Sequence, residues 1–388
     1  MEADRHNGRS SYQYIRVVTA MRTLSTIWPR IKETKELFVV KKHVLFLLLV
    51  LIASTAACVS AAESGKDVPE VKKVRWARAN SGNVLVTLAK HNGYLKEVGI
   101  EIEEMPLSTT TDALTALSTK QIDVASNYGT NDPLQFIATG SDFTLVGGYM
   151  LKGMYIVAKK GTGWKGIGDL VGKTIAASKS QTWITGPLLD AGHSLDDVTW
   201  VTYNTNSDRL VAVLSGEADY ASLSGDLLFR VGKLKDEIEI VTWAADLIPN
   251  YGCCRIDMNT DFVKSNPKTV KLILKSLIRA EQFLRANPDE SVRVLAKELD
   301  APEEFVTAYL KNPNYVPSVD PVRNSIKVTW DIMLKTGSLA PEAKDYDLDA
   351  HININLYKDA LDELIAERRD EDPAFYDERL AFFKANNF

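Results

Sequence analysis

An internal repeat is the feature that most restricts how this chain can fold. Strand-like and helix-like segments alternate from residue 73 to residue 126, and the same order returns from residue 174 to residue 222. Seven residues of the first copy recur 96 positions later, six of them unchanged. The pairs are Asp112 and Asp208, Leu114 and Leu210, Ala116 and Ala212, Leu117 and Val213, Asp123 and Asp219, Ala125 and Ala221, and Ser126 and Ser222. Two similar halves predict two lobes with a cleft between them.

The order of elements within each copy is β-α-β-α-β. This order predicts an α/β protein in which each lobe is a mainly parallel sheet flanked by helices. In the first copy, strands are predicted at residues 73–79, 100–105 and 122–126, and helices at 84–91 and 112–117. In the second, strands are predicted at 174–177, 198–203 and 218–222, and helices at 183–191 and 208–214. Ligands of such sheets bind beyond the carboxyl ends of the strands, so we expect the cleft there.

The two lobes are not expected to be consecutive blocks of sequence. Two strand-like runs flank Lys152-Gly153, which predicts a first crossing between lobes, and residues 257–262 predict the return. Helices that start at Asn266-Pro267, Asn287-Pro288 and Ala301-Pro302 are expected to pack back on the first lobe. We therefore assign residues 70–151 and 256–388 to lobe 1 and residues 152–255 to lobe 2, with the two crossing strands as the hinge.

The N-terminal segment has the pattern of an export signal. Lys41-Lys42 precede an apolar run, residues 44–57, that is shorter than the roughly 20 residues a spanning helix needs. Cys58 follows small residues, as at a lipidation site, whereas residues 59–61 suit ordinary signal peptidase; a buried core helix is the alternative to both. Residues 1–61 are predicted to be an N-terminal extension and signal peptide. Export to the periplasm or the outer face of the cytoplasmic membrane follows, either free or anchored through lipidated Cys58.

Composition and motifs exclude several classes of function. Residues 59–388 hold 37 Lys and Arg against 47 Asp and Glu, and this acidic balance argues against nucleic acid as a partner. The three cysteines have no CxxC spacing and the five histidines are scattered, so no metal or cofactor is expected. No GxSxG or P-loop motif occurs, which argues against an enzyme.

Four loops that follow predicted strands are rich in small polar residues. Free N–H groups and hydroxyls at the start of a helix favour an anion, although helix capping alone explains such residues equally well. The fourth loop is residues 204–207. From the other three we select as ligand contacts Asn80, Ser81, Gly82, Ser108, Thr109, Ser178, Lys179, Ser180, Gln181 and Thr182.

Lys179 is the one cation in these four loops. It is a candidate partner for a carboxylate or sulfonate; a solvated surface lysine is the common alternative. Two further groups complete the candidate site. Residues at the ends of the repeat strands are expected to face the cleft: Asn127, Tyr128, Ser224 and Asp226. Two aromatic residues, Trp183 and Tyr251, are expected to be ligand walls, with a position in the core as the alternative.

Several phrases of the sequence resemble a known family. They are residues 92–102, 121–125, 167–176 and 216–221, together with Asn266-Pro267. On these residues, the chain resembles the SsuA/THI5-like family of periplasmic substrate-binding proteins for sulfonates, taurine, nitrate and thiamine-pyrimidine precursors. The resemblance covers roughly residues 72–365. It implies a two-lobed periplasmic binding protein type II fold that closes on its solute as a clamp.

Cys253-Cys254 lies near the predicted return crossing. Free buried thiols and a vicinal disulfide are both compatible with the sequence. The resemblance adds a third interpretation, since thiamine-pyrimidine synthases of this fold carry a cysteine-rich iron motif in about this region. Two adjacent cysteines match that motif poorly.

These observations together predict the extracytoplasmic solute-binding component of an ABC-type importer. It would clamp a small, anionic organic molecule between its lobes and deliver it to the permease and ATPase subunits. We expect a monomer without enzymatic activity. The alternatives are a ligand-sensing binding protein for a membrane partner and a thiamine-pyrimidine-synthase-like enzyme.

Overall fold

Alternating strands and helices open the described part of the chain. The computed structural model describes residues 68–79 and 82–388; the predictions for residues 1–61, Cys58, Asn80 and Ser81 lie outside these ranges. The first copy of the repeat forms β1 (Lys73–Arg78), α1 (Val84–His91), α2 (Tyr94–Glu97), β2 (Glu101–Pro106), α3 (Thr110–Ser118), β3 (Val124–Ser126) and α4 (Asn131–Ala138). Two long strands follow, β4 (Phe143–Lys152) and β5 (Met154–Lys159).

The second copy repeats the pattern. It forms β6 (Thr174–Ala176), α5 (Thr182–Asp190), β7 (Thr199–Val201), α6 (Asn206–Ser215), β8 (Tyr220–Ser224), α7 (Leu228–Lys233), β9 (Ile238–Trp243) and α8 (Ala244–Leu247). Then come β10 (Gly252–Asn259), α9 (Thr260–Ser265), α10 (Pro267–Ala286), α11 (Pro288–Glu298), α12 (Glu303–Leu310), β11 (Tyr315–Pro317), α13 (Arg323–Lys335), α14 (Asn355–Arg368) and α15 (Pro373–Asn386).

The strands form two sheets. Among the described residues, the first sheet has six strands in the order β11-β4-β10-β3-β1-β2, and the second has five in the order β7-β6-β8-β5-β9. Each copy therefore contributes an equivalent trio, β3-β1-β2 and β8-β6-β7, whose neighbours are parallel. The predicted α/β class and the two-lobed architecture are confirmed.

The sheets are mixed, which corrects the expectation of mainly parallel sheets. Strands β4, β10 and β11 pair antiparallel in the first sheet, and β5 pairs antiparallel with β8 and β9 in the second. The physical reason lies in the connections. Helical crossovers make the parallel pairs of each copy, whereas β4, β5 and β10 flank the connections between sheets and run against their neighbours.

The first crossing lies where the sequence predicts it. β4 ends at Lys152 and β5 begins at Met154, and both Lys152 and Gly153 have positive φ, at 64° and 80°. The return crossing predicted at residues 257–262 is wrong, because those residues belong to β10 and α9. The chain changes sheet between Trp243 and Gly252. The lobe limits of residues 70–151 with 256–388, and 152–255, stay a prediction.

The two copies share their internal contacts as well as their order. The Asp123 carboxylate accepts from the backbone N–H of Arg75 at 2.9 Å, and the Asp219 carboxylate accepts from that of Thr174 at the same distance. Each aspartate thereby ties the start of one strand to its neighbour. The repeated apolar residues of both copies are buried. The repeat is visible in the sequence because it consists of core residues and of residues that hydrogen-bond to the neighbouring strand.

The helices after β10 cover the first sheet. α10 presents buried apolar residues along one face, as its helical period predicts, and packs against α1 and α14. The C-terminal helix is fixed by a buried ion pair between Arg379 and Glu281, 3.1 Å apart. Among the described helices, none has the length and apolar character needed to cross a membrane.

Candidate ligand-binding cleft

A cavity of about 680 Å³ lies between the two sheets. It is lined by residues that follow β1, β2 and β3 of the first sheet and β7 and β8 of the second. Both sheets therefore direct the carboxyl ends of their parallel strands toward the same space, which is where α/β sheets bind ligands. The volume suits a small organic molecule.

The first-sheet wall is polar. Asn127 adopts φ 67°, a left-handed conformation that asparagine tolerates, directly after β3. Tyr128 also lines the cavity, and its hydroxyl donates to the carbonyl oxygen of Leu107 at 2.8 Å. Asp132, in the first turn of α4, also lines the cavity, and burial raises the pKa of its carboxyl group.

The second-sheet wall is a connected polar network. The amide nitrogen of Asn206 donates to Oγ of Ser224 at 2.6 Å and to a carboxylate oxygen of Asp226 at 3.2 Å. Ser224 itself donates to Asp226. Burial raises the pKa of Asp226, and the hydrogen bonds from Ser224 and Asn206 oppose that shift. These residues are pre-positioned because they hold one another.

Arg209 supplies the positive charge of this wall. It lies one turn into α6, and its guanidinium donates to the side-chain oxygen of Asn206 at 3.4 Å and to the carbonyl oxygen of Ser222 at 3.3 Å. Within the described residues, its buried Nε has no hydrogen-bond partner. Burial lowers the pKa of Arg209, and the nearby Asp226 opposes that shift. Arg209 is the one Lys or Arg among the described residues that line the cavity.

Another part of the cavity lining is aromatic. Phe305, Tyr309 and Tyr315 form it, with ring centroids 5.7 Å apart for the first pair and 5.0 Å for the second. Tyr315 also contacts the second sheet at Gly225. A Cβ added to Gly225 would lie 2.5 Å from the Tyr315 ring, so the two walls approach as closely as glycine permits.

Five of the predicted contacts line this cavity: Ser108, Asn127, Tyr128, Ser224 and Asp226. Gly82 lies beside it, and its carbonyl oxygen accepts from the Asn127 amide at 3.4 Å. The Thr109 side chain instead caps α3 by accepting from the backbone N–H of Asp112 at 3.1 Å. The sequence-based capping alternative therefore describes Thr109 well.

The predicted loop of residues 178–182 lies at the side of the cleft rather than in the cavity lining. Lys179 is exposed and forms an ion pair with Asp196 at 2.9 Å, which favours the surface-lysine alternative. Ser178 and Ser180 share a hydrogen bond of 2.9 Å. Asn131 of α4 donates to the carbonyl oxygen of Ser180 and accepts from the Thr182 hydroxyl, so this loop joins the two sheets.

Gln181 and the two predicted aromatic walls are also outside the cavity lining. Gln181 occupies the N-cap position of α5 without a side-chain capping hydrogen bond, and its buried side-chain oxygen has no partner among the described residues. Trp183 and Tyr251 are both buried, with ring centroids 6.5 Å apart. Their packing favours the core alternative, because two large rings in contact fill interior space.

Sequence reasoning missed Arg209, Asp132 and the Phe305–Tyr309–Tyr315 wall. A signal for Arg209 was present, since it lies one helical turn after the polar loop 204–207. Phe305 and Tyr309 are four residues apart on one helix and so share a face, but only their packing against β11 turns that face toward the cleft.

Across residues 68–79 and 82–388, no three His, Cys, Asp or Glu side chains cluster as a metal site requires. Cys253 and Cys254 line the cavity as free thiols.

The fold and the cleft define a two-lobed α/β protein of the periplasmic binding protein type. A family model described as NMT1/THI5 like matches residues 80–291, more than half of the chain. The chain belongs to the NMT1/THI5-like family, which confirms the resemblance found in the sequence.

Individual relatives agree with this assignment. An aliphatic sulfonates-binding protein of Escherichia coli (strain K12) is 25% identical over 281 residues, which are 69% of this chain and 83% of that protein. The alkanesulfonate-binding protein SsuA from Xanthomonas axonopodis pv. citri, bound to MOPS, has a TM-score of 0.58 at 20% identity over 70% of this chain and 95% of its own. The periplasmic nitrate-binding protein NrtA from Synechocystis PCC 6803 has a TM-score of 0.62 at 15% identity, covering 76% and 90%. By name, all three are binding proteins.

Proposed function

We propose that this protein is the solute-binding component of an ABC-type importer and that it binds a small organic anion in the cleft between its sheets. The observation that carries the proposal is the position of Arg209. Its partly buried guanidinium lines the cavity and has donor capacity left over after its two internal hydrogen bonds. A sulfonate or carboxylate fits such a donor, because charge-assisted hydrogen bonds are strongest away from water.

The polar groups around Arg209 support the same assignment. The helix start at α6 adds N–H donors and a favourable dipole on the side of the cavity where Arg209 lies. The aromatic residues of the lining, Phe305, Tyr309 and Tyr315, accommodate the apolar part of an organic ligand. The names of the sulfonate- and nitrate-binding relatives agree with an anionic solute.

The two carboxylates of the cavity indicate what else the solute carries. Asp132 lines the first-sheet wall and has no side-chain hydrogen-bond partner among the described residues. A solute with only anionic groups would leave this half-buried carboxylate uncompensated, which is costly. We therefore infer a solute with an ammonium or similar donor group that meets Asp132 while its anionic group meets Arg209.

The remaining parts of the proposal follow from the fold. The two sheets would act as lobes that close on the solute about the segments that connect them. The protein would work outside the cytoplasm as a monomer, free or anchored through Cys58, and deliver its solute to permease and ATPase subunits. It would have no catalytic role. A sensing protein for a membrane partner would use the same cleft.

Calorimetry with matched ligands tests the proposal. We expect 2-aminoethanesulfonate to bind more tightly than 1-propanesulfonate, which replaces the ammonium group by a methyl group. Arg209→Gln should weaken anion binding by about 30-fold or more, roughly 2 kcal/mol, because a partly buried charge loses its partner. Lys179→Gln is the matched control and should bind as the wild type does. Equal sulfonate affinities of Arg209→Gln and wild type would contradict recognition of an anion by Arg209. Native mass spectrometry of the purified protein would identify any retained solute.

Asp132→Asn tests the second polar contact. The variant should lose most of the preference for 2-aminoethanesulfonate over 1-propanesulfonate, about 10-fold. It should also melt at a higher temperature at pH 7. Burial raises the pKa of Asp132, so the folded protein holds this proton more tightly than the unfolded chain, and the ionised carboxylate costs stability above its folded pKa. The stability difference from wild type should therefore shrink as pH falls through that pKa. A variant less stable at pH 7 would contradict the unpaired carboxylate.

A further inference from the structure

A bulge in β10 places two adjacent cysteines on the same wall of the cleft. Opposite β4, Gly252 pairs with Leu151, Cys254 with Met150 and Arg255 with Gly148, with register shifts on both sides of Cys254. In a regular strand, successive side chains point to opposite faces of the sheet. A bulge changes that direction locally, and both Cys253 and Cys254 consequently line the cavity.

The two thiols are close to each other and shielded from bulk solvent. Their Sγ atoms are 3.5 Å apart, and the residues are 7% and 5% exposed. Both are free thiols. Formation of a disulfide needs an approach to about 2.05 Å, and between adjacent residues it closes an eight-membered ring that requires the intervening backbone to twist. The cleft gives reagents a route to both sulfurs, because both residues line its cavity.

The surroundings distinguish the two sulfurs. The hydrogen bond they share lowers the pKa of Cys254, and the backbone of Gly129 and the charge of Arg255 act in the same direction. The same hydrogen bond, with burial, raises the pKa of Cys253. A pair in which one sulfur is biased toward thiolate and the other toward thiol is the arrangement used by nucleophilic and resolving cysteines.

We propose that Cys253 and Cys254 form a redox-active dithiol that reacts with small organic disulfides entering the ligand cleft. The Cys254 thiolate attacks one sulfur of the disulfide, which forms a mixed disulfide and releases one thiolate. Cys253 then gives up its proton and attacks the Cys254 sulfur, forming the vicinal disulfide and releasing the second thiol. Two cysteine thiols are oxidised and one organic disulfide is reduced to two thiols. The proposal stands on the geometry of the bulge and does not depend on the identity of the solute.

The test uses the full chain with Cys58→Ser, so that Cys253 and Cys254 are its only cysteines. The native protein is incubated with bis(2-hydroxyethyl) disulfide and its intact mass is followed. We expect a loss of about 2 Da, for two hydrogens, with two equivalents of 2-mercaptoethanol released. Peptide mapping of this product should find Cys253 and Cys254 joined within one peptide. An unchanged mass, or two separate mixed disulfides, would overturn the proposal.

Single variants in the same background assign the two roles. Cys253→Ser should stop at a stable mixed disulfide on Cys254. Cys254→Ser should react at least ten times more slowly, because it retains only the thiol whose proton is held more tightly. Equal rates for the two variants would show that neither sulfur is the preferred nucleophile and would overturn the assignment. Melting curves of both variants check that each is folded, and the peptide map of the Cys58→Ser protein tests the disulfide without either substitution.

Discussion

The two copies of the repeat have the same framework and different cleft surfaces. Thr109 and Thr205, 96 residues apart, each accept from a backbone N–H three residues later at 3.1 Å. One turn into the helices that follow, however, the first copy has the buried Ala113 and the second has Arg209. The comparison shows that residues which hold a copy together recur, whereas the position one turn into the helix, which lines the cavity in the second copy, differs. Two copies of the same α/β unit can therefore form the two walls of a cleft while only the second copy contributes a cation, Arg209.

The hydrogen bonds that Asp123 and Asp219 make to neighbouring strands offer the largest expected difference in stability between the copies. Asp123 is mostly buried and binds the Arg75 guanidinium at 2.6 and 3.1 Å as well as its backbone N–H. Asp219 is exposed and has the backbone contact to Thr174. We expect Asp123→Ala to lower the free energy of unfolding by about 2–3 kcal/mol, since a charged hydrogen-bonded pair is broken, and Asp219→Ala to lower it by at most half as much. Urea unfolding measures both. Equal losses of unfolding free energy would mean that the ion pair with Arg75 contributes nothing beyond the backbone hydrogen bond.

The glycines after the repeat strands offer a second comparison. Gly129 and Gly225 are 96 residues apart, but Gly129 has φ 84° with open space around it, whereas a Cβ at Gly225 would strike Tyr315. Gly129→Ala should cost about 1 kcal/mol of stability through backbone strain. Gly225→Ala should cost about 1–2 kcal/mol through overpacking and also weaken solute binding several-fold, because the walls of the cleft can no longer approach. Calorimetry separates the two. If Gly129→Ala weakened binding as much, the contact across the cleft would not be the cause.

The helix caps offer the smallest and most closely matched comparison. Thr109→Ala and Thr205→Ala should each destabilise the protein by about 1 kcal/mol, because each removes one N-cap acceptor. Only Thr205 lines the cavity, so only its replacement should also reduce solute affinity. Thermal melting and calorimetry on the same samples measure both effects. Unequal stability losses would show that the two caps differ in more than position.

The sequence predicted the fold well because its signals are local. Strand and helix periods, prolines at helix starts and the repeat located the elements of both copies to within a few residues. The return crossing was misplaced because β10 is buried along its whole length although its sequence mixes apolar and charged residues, so no periodic pattern marks its start at Gly252. The mixed character of the sheets was missed because strand direction depends on partners that are distant in sequence.

The candidate site was predicted only in part, for a similar reason. Residues directly after strands could be placed at the cleft, since the carboxyl ends of parallel strands meet there. Polar loops look alike whether they cap a helix or face a solute, and Lys179 and Arg209 differ only in what the folded chain brings beside them. Trp183 and Tyr309 are both aromatic residues on helices, and only packing sends one to the core and the other to the cleft wall.

The sequence by itself determined the α/β class, the two equivalent halves and the edge of each sheet at which a cleft forms, because these follow from periodicity and from short-range connections. The tertiary structure decided which side chains meet in that cleft. Arg209, Asp132, Tyr315 and the Cys253–Cys254 pair come from segments far apart in the chain, and their proximity results from how the two sheets and the C-terminal helices pack. Charge balance and shape in a cleft depend on such long-range contacts, which no local pattern encodes.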